Sequence, residues 1–231
     1  MRLVWLFDVD GTLIRSYGTA RIAFSLGLEA VLGMKDALDD LPFAGGMDPL
    51  ILESILARHG RSLSASESAR FWEVVRTHTA ARLEAGHGVV LPGVRALLDA
   101  IAREPQWLPG LLTGNTADMA RLKLSHFGLL DAFALGAFGD EAPDRDALAC
   151  LAVTRAAERW QVSAERCIVV GDTEKDVQCA RAAGARSIAV ATGTRTRKDL
   201  ESMTPDLLLD DLRDTDQVLD WARAVAAGTL D

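Results

Sequence analysis

The chain has 231 residues, 49% of them hydrophobic, and a formal net charge of −8. This length can bury a sizeable core, either as one domain or as one domain that carries a large insertion. The acidic balance and the lack of a basic block argue against nucleic acid or an anionic membrane surface as a partner, whereas a small anionic substrate can still bind at a locally positive site. Asp8 interrupts the short apolar run after Arg2, so we expect no signal peptide, and no run reaches the length of a membrane span.

Five short apolar segments are typical of strands that are buried on both faces, because each ends in polar residues or glycine. They cover residues 3–7, 107–113, 167–172, 187–192 and 206–211, and a weaker segment covers 132–140. Amphipathic segments that are typical of helices separate them, at residues 94–103, 116–127, 146–160, 176–183 and 216–227. This alternation predicts an α/β fold with a Rossmann-like, doubly wound parallel sheet and right-handed crossovers.

Residues 17–88 break the alternation, since they show helical periodicity and no strand-like run. We interpret this part as an all-helical cap domain inserted after the first strand, so that the catalytic core comprises residues 1–16 and 89–231. Pro92, in the sequence LPGV, is expected to open the helix that follows the return to the core.

The three cysteines, Cys150, Cys167 and Cys179, are odd in number and lack CxxC spacing. We interpret them as reduced, mostly buried thiols of a cytoplasmic protein. The four histidines show no metal-ligand spacing with them, so a zinc site is not expected.

Polar residues follow three of the predicted strands. They are Asp8 and Asp10, then Thr113, Gly114 and Asn115, and finally Asp172 with Asp176 one helical turn further on. In an open parallel sheet, ligands bind outside the carboxyl ends of the strands, so we expect these residues to share one edge. Four carboxylates in one place raise each other's pKa values, and a divalent cation is the simplest compensation. The oxygen-only set predicts Mg²⁺, which also takes water and substrate phosphate oxygens as ligands.

Three motifs occur in order at these strand ends: FDVDGTL at residues 7–13, LLTGNT at 111–116 and GDTEKDV at 171–177. Together with the helical insertion, they resemble the haloacid dehalogenase superfamily hydrolases with a helical cap, in particular the phosphoglycolate phosphatase-like subgroup. The resemblance covers essentially the whole chain, and DxDGT followed by GDxxxD at a later strand end is a specific combination. It implies a magnesium-dependent phosphatase that hydrolyses a small phosphorylated metabolite through an aspartyl-phosphate intermediate.

The resemblance also implies roles for the aspartates. Asp8 is the nucleophile, and Asp10 protonates the leaving oxygen and then deprotonates the attacking water. Asp8, the backbone carbonyl of Asp10 and Asp172 bind the metal, and Asp176 orients a water ligand. Read alone, Asp8 and Asp10 would only end a strand in a turn, and Asp176 would be an exposed acid in the first turn of a helix.

The second motif is expected to bind phosphate. Thr113 donates a hydrogen bond to a phosphoryl oxygen, and the N–H groups of Gly114 and Asn115, at the start of the following helix, assist it. The alternative is that this segment is only a helix N-cap.

The third motif departs from the family pattern, which usually has a lysine that neutralises the nucleophile and the phosphate. No lysine lies between Lys123 and Lys175, and Arg145 is the cation at the matching place. Arginine can hold both phosphate and carboxylate, so we assign Arg145 to catalysis and phosphate binding. The alternative is a surface arginine paired with Asp144 or Asp146.

Gly45, Gly46, Met47 and Asp48 correspond to the substrate-specificity loop of capped relatives, which often have arginine or threonine where this chain has Met47. A plain turn, with Asp48 as the N-cap of a helix and Pro49 at its first position, explains the same residues.

Asp10 favours phosphoryl transfer over dehalogenation, since a leaving halide needs no proton. Two alternatives stay open: a phosphomutase of the same superfamily, and a non-catalytic regulatory or binding member.

Overall fold

The computed structural model describes residues 1–35 and 38–229 of the chain. Its strands are β1 (Leu3–Phe7), β2 (Ile14–Arg15), β3 (Val89–Val90), β4 (Trp107–Thr113), β5 (Gly136–Phe138), β6 (Cys167–Gly171), β7 (Arg186–Val190) and β8 (Leu207–Leu209). Its α-helices are α1 (Thr19–Leu32), α2 (Asp48–Arg58), α3 (Ala65–Glu84), α4 (Val94–Ala102), α5 (Ala117–His126), α6 (Arg145–Trp160), α7 (Glu174–Ala182), α8 (Arg197–Glu201) and α9 (Thr215–Ala227).

Six strands form one parallel sheet in the order β5-β4-β1-β6-β7-β8. The central strand β1 is buried along its whole length, and its two neighbours are β4 and β6. Trp5 packs against Phe7 and Trp107 on one face of the sheet, with ring centroids 6.0 and 5.5 Å apart. Burial on both faces explains why these strands are continuous apolar runs. The parallel sheet with helices between its strands confirms the predicted Rossmann-like α/β fold.

Helices α1, α2 and α3 lie between β2 and β3 in the chain and share an apolar cluster, to which Met119 of α5 also contributes. Phe24 lies at its centre and makes edge-to-face contacts with Phe43, Phe71 and Trp72, at centroid distances of 5.4, 5.3 and 5.6 Å. Gly27 allows α1 to approach α3, because a Cβ atom at this position would lie 2.7 Å from the Phe71 ring. The helical insertion is therefore present, whereas its boundaries as a separate domain at residues 17 and 88 stay a prediction.

The short antiparallel pair of β2 and β3 joins the insertion to the sheet, with Ile14 opposite Val90 and Arg15 opposite Val89. Neither strand was predicted, because two residues are too few to show a period. Pro92 precedes the next helix instead of opening it, since α4 begins at Val94 after Gly93, whose φ of 82° suits glycine. No helix within residues 1–35 and 38–229 is long and apolar enough to cross a membrane.

Candidate active site

The carboxyl ends of β4, β1 and β6 lie side by side and present the motif residues at one edge of the sheet. Phe7 pairs with Leu111 on one side and with Val170 on the other. The backbone N–H of Asp8 donates to the Val170 carbonyl at 2.9 Å, which fixes Asp8 next to the loop that carries Asp172. The strand register therefore brings the first, second and fourth motifs together, as the sequence predicts.

Asp8 is buried and faces Arg145, the first residue of α6. The Nη2 atom of Arg145 lies 3.2 Å from Oδ1 of Asp8 and also contacts Oδ1 of Asp176. Asp144 accepts a hydrogen bond from the Ala147 N–H and so caps α6, which turns the Arg145 side chain into the site. Arg145 is only 7% exposed, so it is not the surface arginine that the alternative interpretation required.

Burial raises the pKa of Asp8 to about 7 despite the attraction of Arg145, and the nearby Asp176 and Asp10 add to the rise. Burial and the neighbouring Asp8 likewise raise the pKa of Asp172 well above its usual range. The protein alone therefore supplies too little positive charge for both carboxylates to ionise fully at neutral pH.

Asp172 is enclosed by two glycines and one hydroxyl. The Thr12 hydroxyl donates to its Oδ1 at 3.2 Å. A Cβ atom on Gly11, where φ is 91°, would lie 2.4 Å from Oδ2 of Asp172, and a Cβ atom on Gly193 would lie 1.6 Å from the same oxygen. Only glycine allows both backbones to lie this close, and together they hold the carboxylate in one place.

The Asp10 carboxylate is turned toward a buried lysine that the sequence interpretation missed. Lys123, on α5, donates from Nζ to Oδ2 of Asp10 at 2.5 Å and to Oδ1 of Asn115 at 2.6 Å. Asn115 donates to Oδ2 of Asp10 at 2.9 Å, and Ser16 donates to Oδ1 at 3.0 Å. Burial alone would raise the pKa of Asp10, but Lys123 and these hydrogen bonds outweigh it and lower the pKa. In this arrangement Asp10 is a carboxylate and only accepts hydrogen bonds.

Asp176 is buried rather than exposed. Its Oδ2 accepts hydrogen bonds from the Thr173 N–H at 3.0 Å and from the Thr173 hydroxyl at 2.8 Å. This capping box starts α7 at Glu174, two residues earlier than the periodicity predicted.

The second motif folds as a loop ahead of α5, not as its first turn. The helix begins at Ala117 with Thr116 as its N-cap, so Gly114 and Asn115 do not lie at its N-terminus as predicted. Thr113 is fully buried, and its Oγ1 accepts from the Asn115 backbone and side-chain amides at 3.3 and 2.9 Å. The loop thus holds Asn115 toward Asp10.

Residues 45–48 contact this loop directly. The Asp48 N–H donates to the Gly114 carbonyl at 2.7 Å, and the Asp48 carboxylate accepts from the Thr116 N–H at 3.1 Å. Asp48 is the first residue of α2 and Met47 is its N-cap, one residue earlier than the plain-turn alternative placed it. Met47 is buried in the core, whereas Gly45, Gly46 and Asp48 line the cavity above Asp8.

This cavity has a volume of about 640 Å³, a size that suits a small metabolite. The three residues 193–195, from the loop after β7, complete its wall. The sequence interpretation missed this loop, although a glycine after a buried strand was a signal for it. Within residues 1–35 and 38–229, no three Asp, Glu, His or Cys side chains form a ready metal-binding group.

A sequence model described as haloacid dehalogenase-like hydrolase matches residues 5–181, and a second model, described as HAD-hydrolase-like, matches residues 148–215. The chain belongs to the haloacid dehalogenase-like hydrolase family. It is 32% identical over 192 residues to a phosphoglycolate phosphatase of Cereibacter sphaeroides, an alignment that covers 82% of this chain and 85% of that protein. The predicted enzyme class, a phosphatase of this family, is confirmed.

Solved structures of the family share the fold. A predicted phosphoglycolate phosphatase from Haemophilus somnus aligns with a TM-score of 0.71 at 18% identity, over 95% of this chain and 98% of that one. A β-phosphoglucomutase from Clostridium difficile aligns with a TM-score of 0.72 at 17% identity, over 98% of this chain and all of that one. At these identities the similarity shows the fold, which phosphatases and mutases have in common.

Proposed function

We propose that the protein is a magnesium-dependent phosphatase that hydrolyses a small phosphorylated metabolite through an aspartyl-phosphate at Asp8. The observation that carries this proposal is the arrangement around Asp8: a buried carboxylate at a strand end, 3.2 Å from the Arg145 guanidinium and beside a second buried carboxylate, Asp172. Phosphoglycolate is the substrate named for the relatives, and it suits a cavity of this size.

The donor set fits Mg²⁺. Asp8 and Asp172 supply two carboxylates whose pKa values are raised by burial and by neighbouring carboxylates, so a cation would stabilise their ionised forms. The Asp10 backbone carbonyl would add a third oxygen. Such a small set is typical of Mg²⁺, because the ion keeps several water ligands and also binds phosphate oxygens of the substrate. When bound, the ion would neutralise charge on the phosphoryl oxygens.

Arg145 would bind and orient the phosphoryl group. Its Nη2 atom contacts Asp8 and Asp176, and its Nε–H is buried without a hydrogen-bond partner within residues 1–35 and 38–229. The guanidinium also lines the cavity, where its N–H groups would donate to a phosphoryl oxygen. Gly114 and Asn115 line the same cavity and would contribute to this phosphate site, whereas Thr113 is fully buried and does not line the cavity.

The reaction would proceed in two displacements. An oxygen of Asp8 forms a bond to phosphorus while the bond to the leaving oxygen breaks, and Asp10 transfers a proton to that oxygen. A water oxygen then bonds to phosphorus, Asp10 accepts its proton, and the bond between phosphorus and Asp8 breaks. Lys123 holds Asp10 in the ionised form that the second step needs, so the first step requires Asp10 to gain a proton against this interaction.

The test is phosphate release from a panel of small phosphate esters with Mg²⁺, comparing the wild type with Asp8→Asn. We expect release by the wild type and a loss of at least about a thousandfold in the variant. Equal release by both proteins would contradict the nucleophile assignment. Appearance of an isomeric sugar phosphate instead of free phosphate would indicate the phosphomutase alternative. The cytoplasmic location, inferred from the cysteine pattern, stays a prediction.

A further inference from the structure

The charges that line the cavity above Asp8 are not evenly distributed. Four carboxylates and five cationic side chains line it. Lys123 and Arg145 are buried and contact the carboxylates of the reaction centre. The other three cations, Arg15, Arg21 and Arg195, also line the cavity and are partly or fully exposed.

Two of these three arginines are already held by other groups. Arg195 makes a two-pronged ion pair with Glu174, at 2.5 and 2.7 Å. Arg21 donates to Asp39 and to the Leu41 carbonyl, at 3.0 and 3.1 Å, and so holds the loop that leads to residues 45–48. Their charge and donors are largely committed to the protein.

Arg15 differs from both. One of its terminal nitrogens, Nη2, donates to the Thr192 carbonyl, and no carboxylate pairs with it in the described part of the chain, residues 1–35 and 38–229. A guanidinium has five N–H donors, so most of those on Arg15 are available to a ligand. The bond to Thr192 also directs the side chain to the loop whose Gly193 backbone encloses Asp172.

We propose that Arg15 binds a second anionic group of the substrate, so that the enzyme prefers phosphate monoesters whose leaving group carries a carboxylate or another phosphate. This inference rests on the proposed phosphatase function. A planar guanidinium can hold either anion through paired hydrogen bonds. The cavity volume of about 640 Å³ restricts such a substrate to a small molecule.

The experiment compares kcat/KM for three short esters with Mg²⁺: 2-phosphoglycolate, 2-hydroxyethyl phosphate, which lacks the second charge, and ethane-1,2-diol bisphosphate. We expect the wild type to prefer the two doubly anionic esters. Arg15→Gln should lower kcat/KM for these two by about tenfold to a hundredfold, mainly through KM, as expected for a lost charge-assisted hydrogen bond. For 2-hydroxyethyl phosphate the change should be less than about twofold.

Arg223→Gln is the matched control, because Arg223 is exposed and pairs with Asp220 and Glu104 away from the cavity. A wild type without preference for a second anion, or an Arg15→Gln variant that loses the same factor on all three esters, would overturn the proposal. The relative rates on the carboxylate and bisphosphate esters identify which anion is bound.

A binding measurement separates this inference from the proposed function. Asp8→Asn protein should bind 2-phosphoglycolate at least about tenfold more tightly than 2-hydroxyethyl phosphate, and adding Arg15→Gln should remove the difference. If no ester is hydrolysed, the phosphatase proposal fails while this titration still decides whether Arg15 recognises the second anion. Equal affinities for both esters would refute it.

Discussion

The buried pair of Lys123 and Asp10 gives a stability prediction that does not depend on knowing the substrate. Lys123→Met removes the ammonium and keeps an unbranched apolar side chain in its place. Asp10 then retains the hydrogen bonds from Ser16 and Asn115 but loses its ion pair with Lys123. The side-chain oxygen Oδ1 of Asn115 loses the hydrogen bond from Lys123 as well.

The magnitude follows from how deeply each partner is buried. Removing one partner of a fully buried ion pair costs about 3–5 kcal/mol. The Lys123 side chain is 2% exposed, but the Asp10 side chain is 34% exposed, so water can replace part of the lost interaction. We therefore expect a loss of about 2–3 kcal/mol in the free energy of unfolding, or about 4–12 °C in Tm.

Chemical denaturation and thermal melting at pH 7 measure the effect. Lys198→Met, at an exposed position on α8, is the control and should change stability by less than about 0.5 kcal/mol. The double variant Lys123→Met/Asp10→Asn carries no unpaired charge and should regain at least about 1 kcal/mol relative to Lys123→Met. A fully stable Lys123→Met, or a double variant no better than the single one, would refute this account of the pair.

Three further predictions concern the carboxylates. Burial raises the pKa of Asp48 to about 6, above its unfolded value, so its contribution to stability is present below about pH 4 and is lost as pH rises toward 6. Asp48→Asn should therefore be about 1–3 kcal/mol more stable than wild type at pH 7.5 and equal to it near pH 4, measured by chemical denaturation at both pH values. Because a proton on Asp8, with a pKa of about 7, competes with the cation, Mg²⁺ affinity should rise about fivefold from pH 6 to 7 and about tenfold from pH 6 to 8 in calorimetric titrations. A flat profile would contradict the metal assignment. Gly193→Ala would place a Cβ atom 1.6 Å from Asp172 and should weaken Mg²⁺ binding by about 10–100-fold in the same titration, whereas Gly60→Ala, with open space around its Cβ, should not.

The sequence predicted the strands around the site well, because parallel strands buried on both faces are uninterrupted apolar runs. Asp8, Thr113 and Asp172 end three such runs, so their meeting at one sheet edge follows from topology alone. Arg145 could be placed by its position before a helix, and its burial agrees with that placement.

Lys123 could not be found in this way. A lysine in the last turn of an amphipathic helix has the pattern of a solvent-exposed residue, and charges there are expected from the helix dipole. Its ammonium meets Asp10, 113 residues earlier in the chain, only in the tertiary fold. Gly193 was missed for a related reason, since the closeness of its backbone to Asp172 depends on which strands are neighbours in the sheet.

The ends of the helices were less predictable than the strands. Hydrogen bonds from backbone N–H groups to side chains, such as that from the Thr173 N–H to the Asp176 carboxylate, start a helix before its apolar periodicity becomes visible. The same effect explains why Thr116, and not the phosphate-loop residues before it, caps α5.

The central claim is that Asp8 carries the phosphoryl group during turnover. The most direct measurement is rapid acid quenching of the enzyme with a ³²P-labelled substrate and Mg²⁺, followed by mapping of the labelled peptide by mass spectrometry. The account predicts a label on the peptide that contains Asp8, absent in Asp8→Asn, that appears and decays as fast as turnover requires. Continued turnover with no label, or a label on another residue, would contradict it.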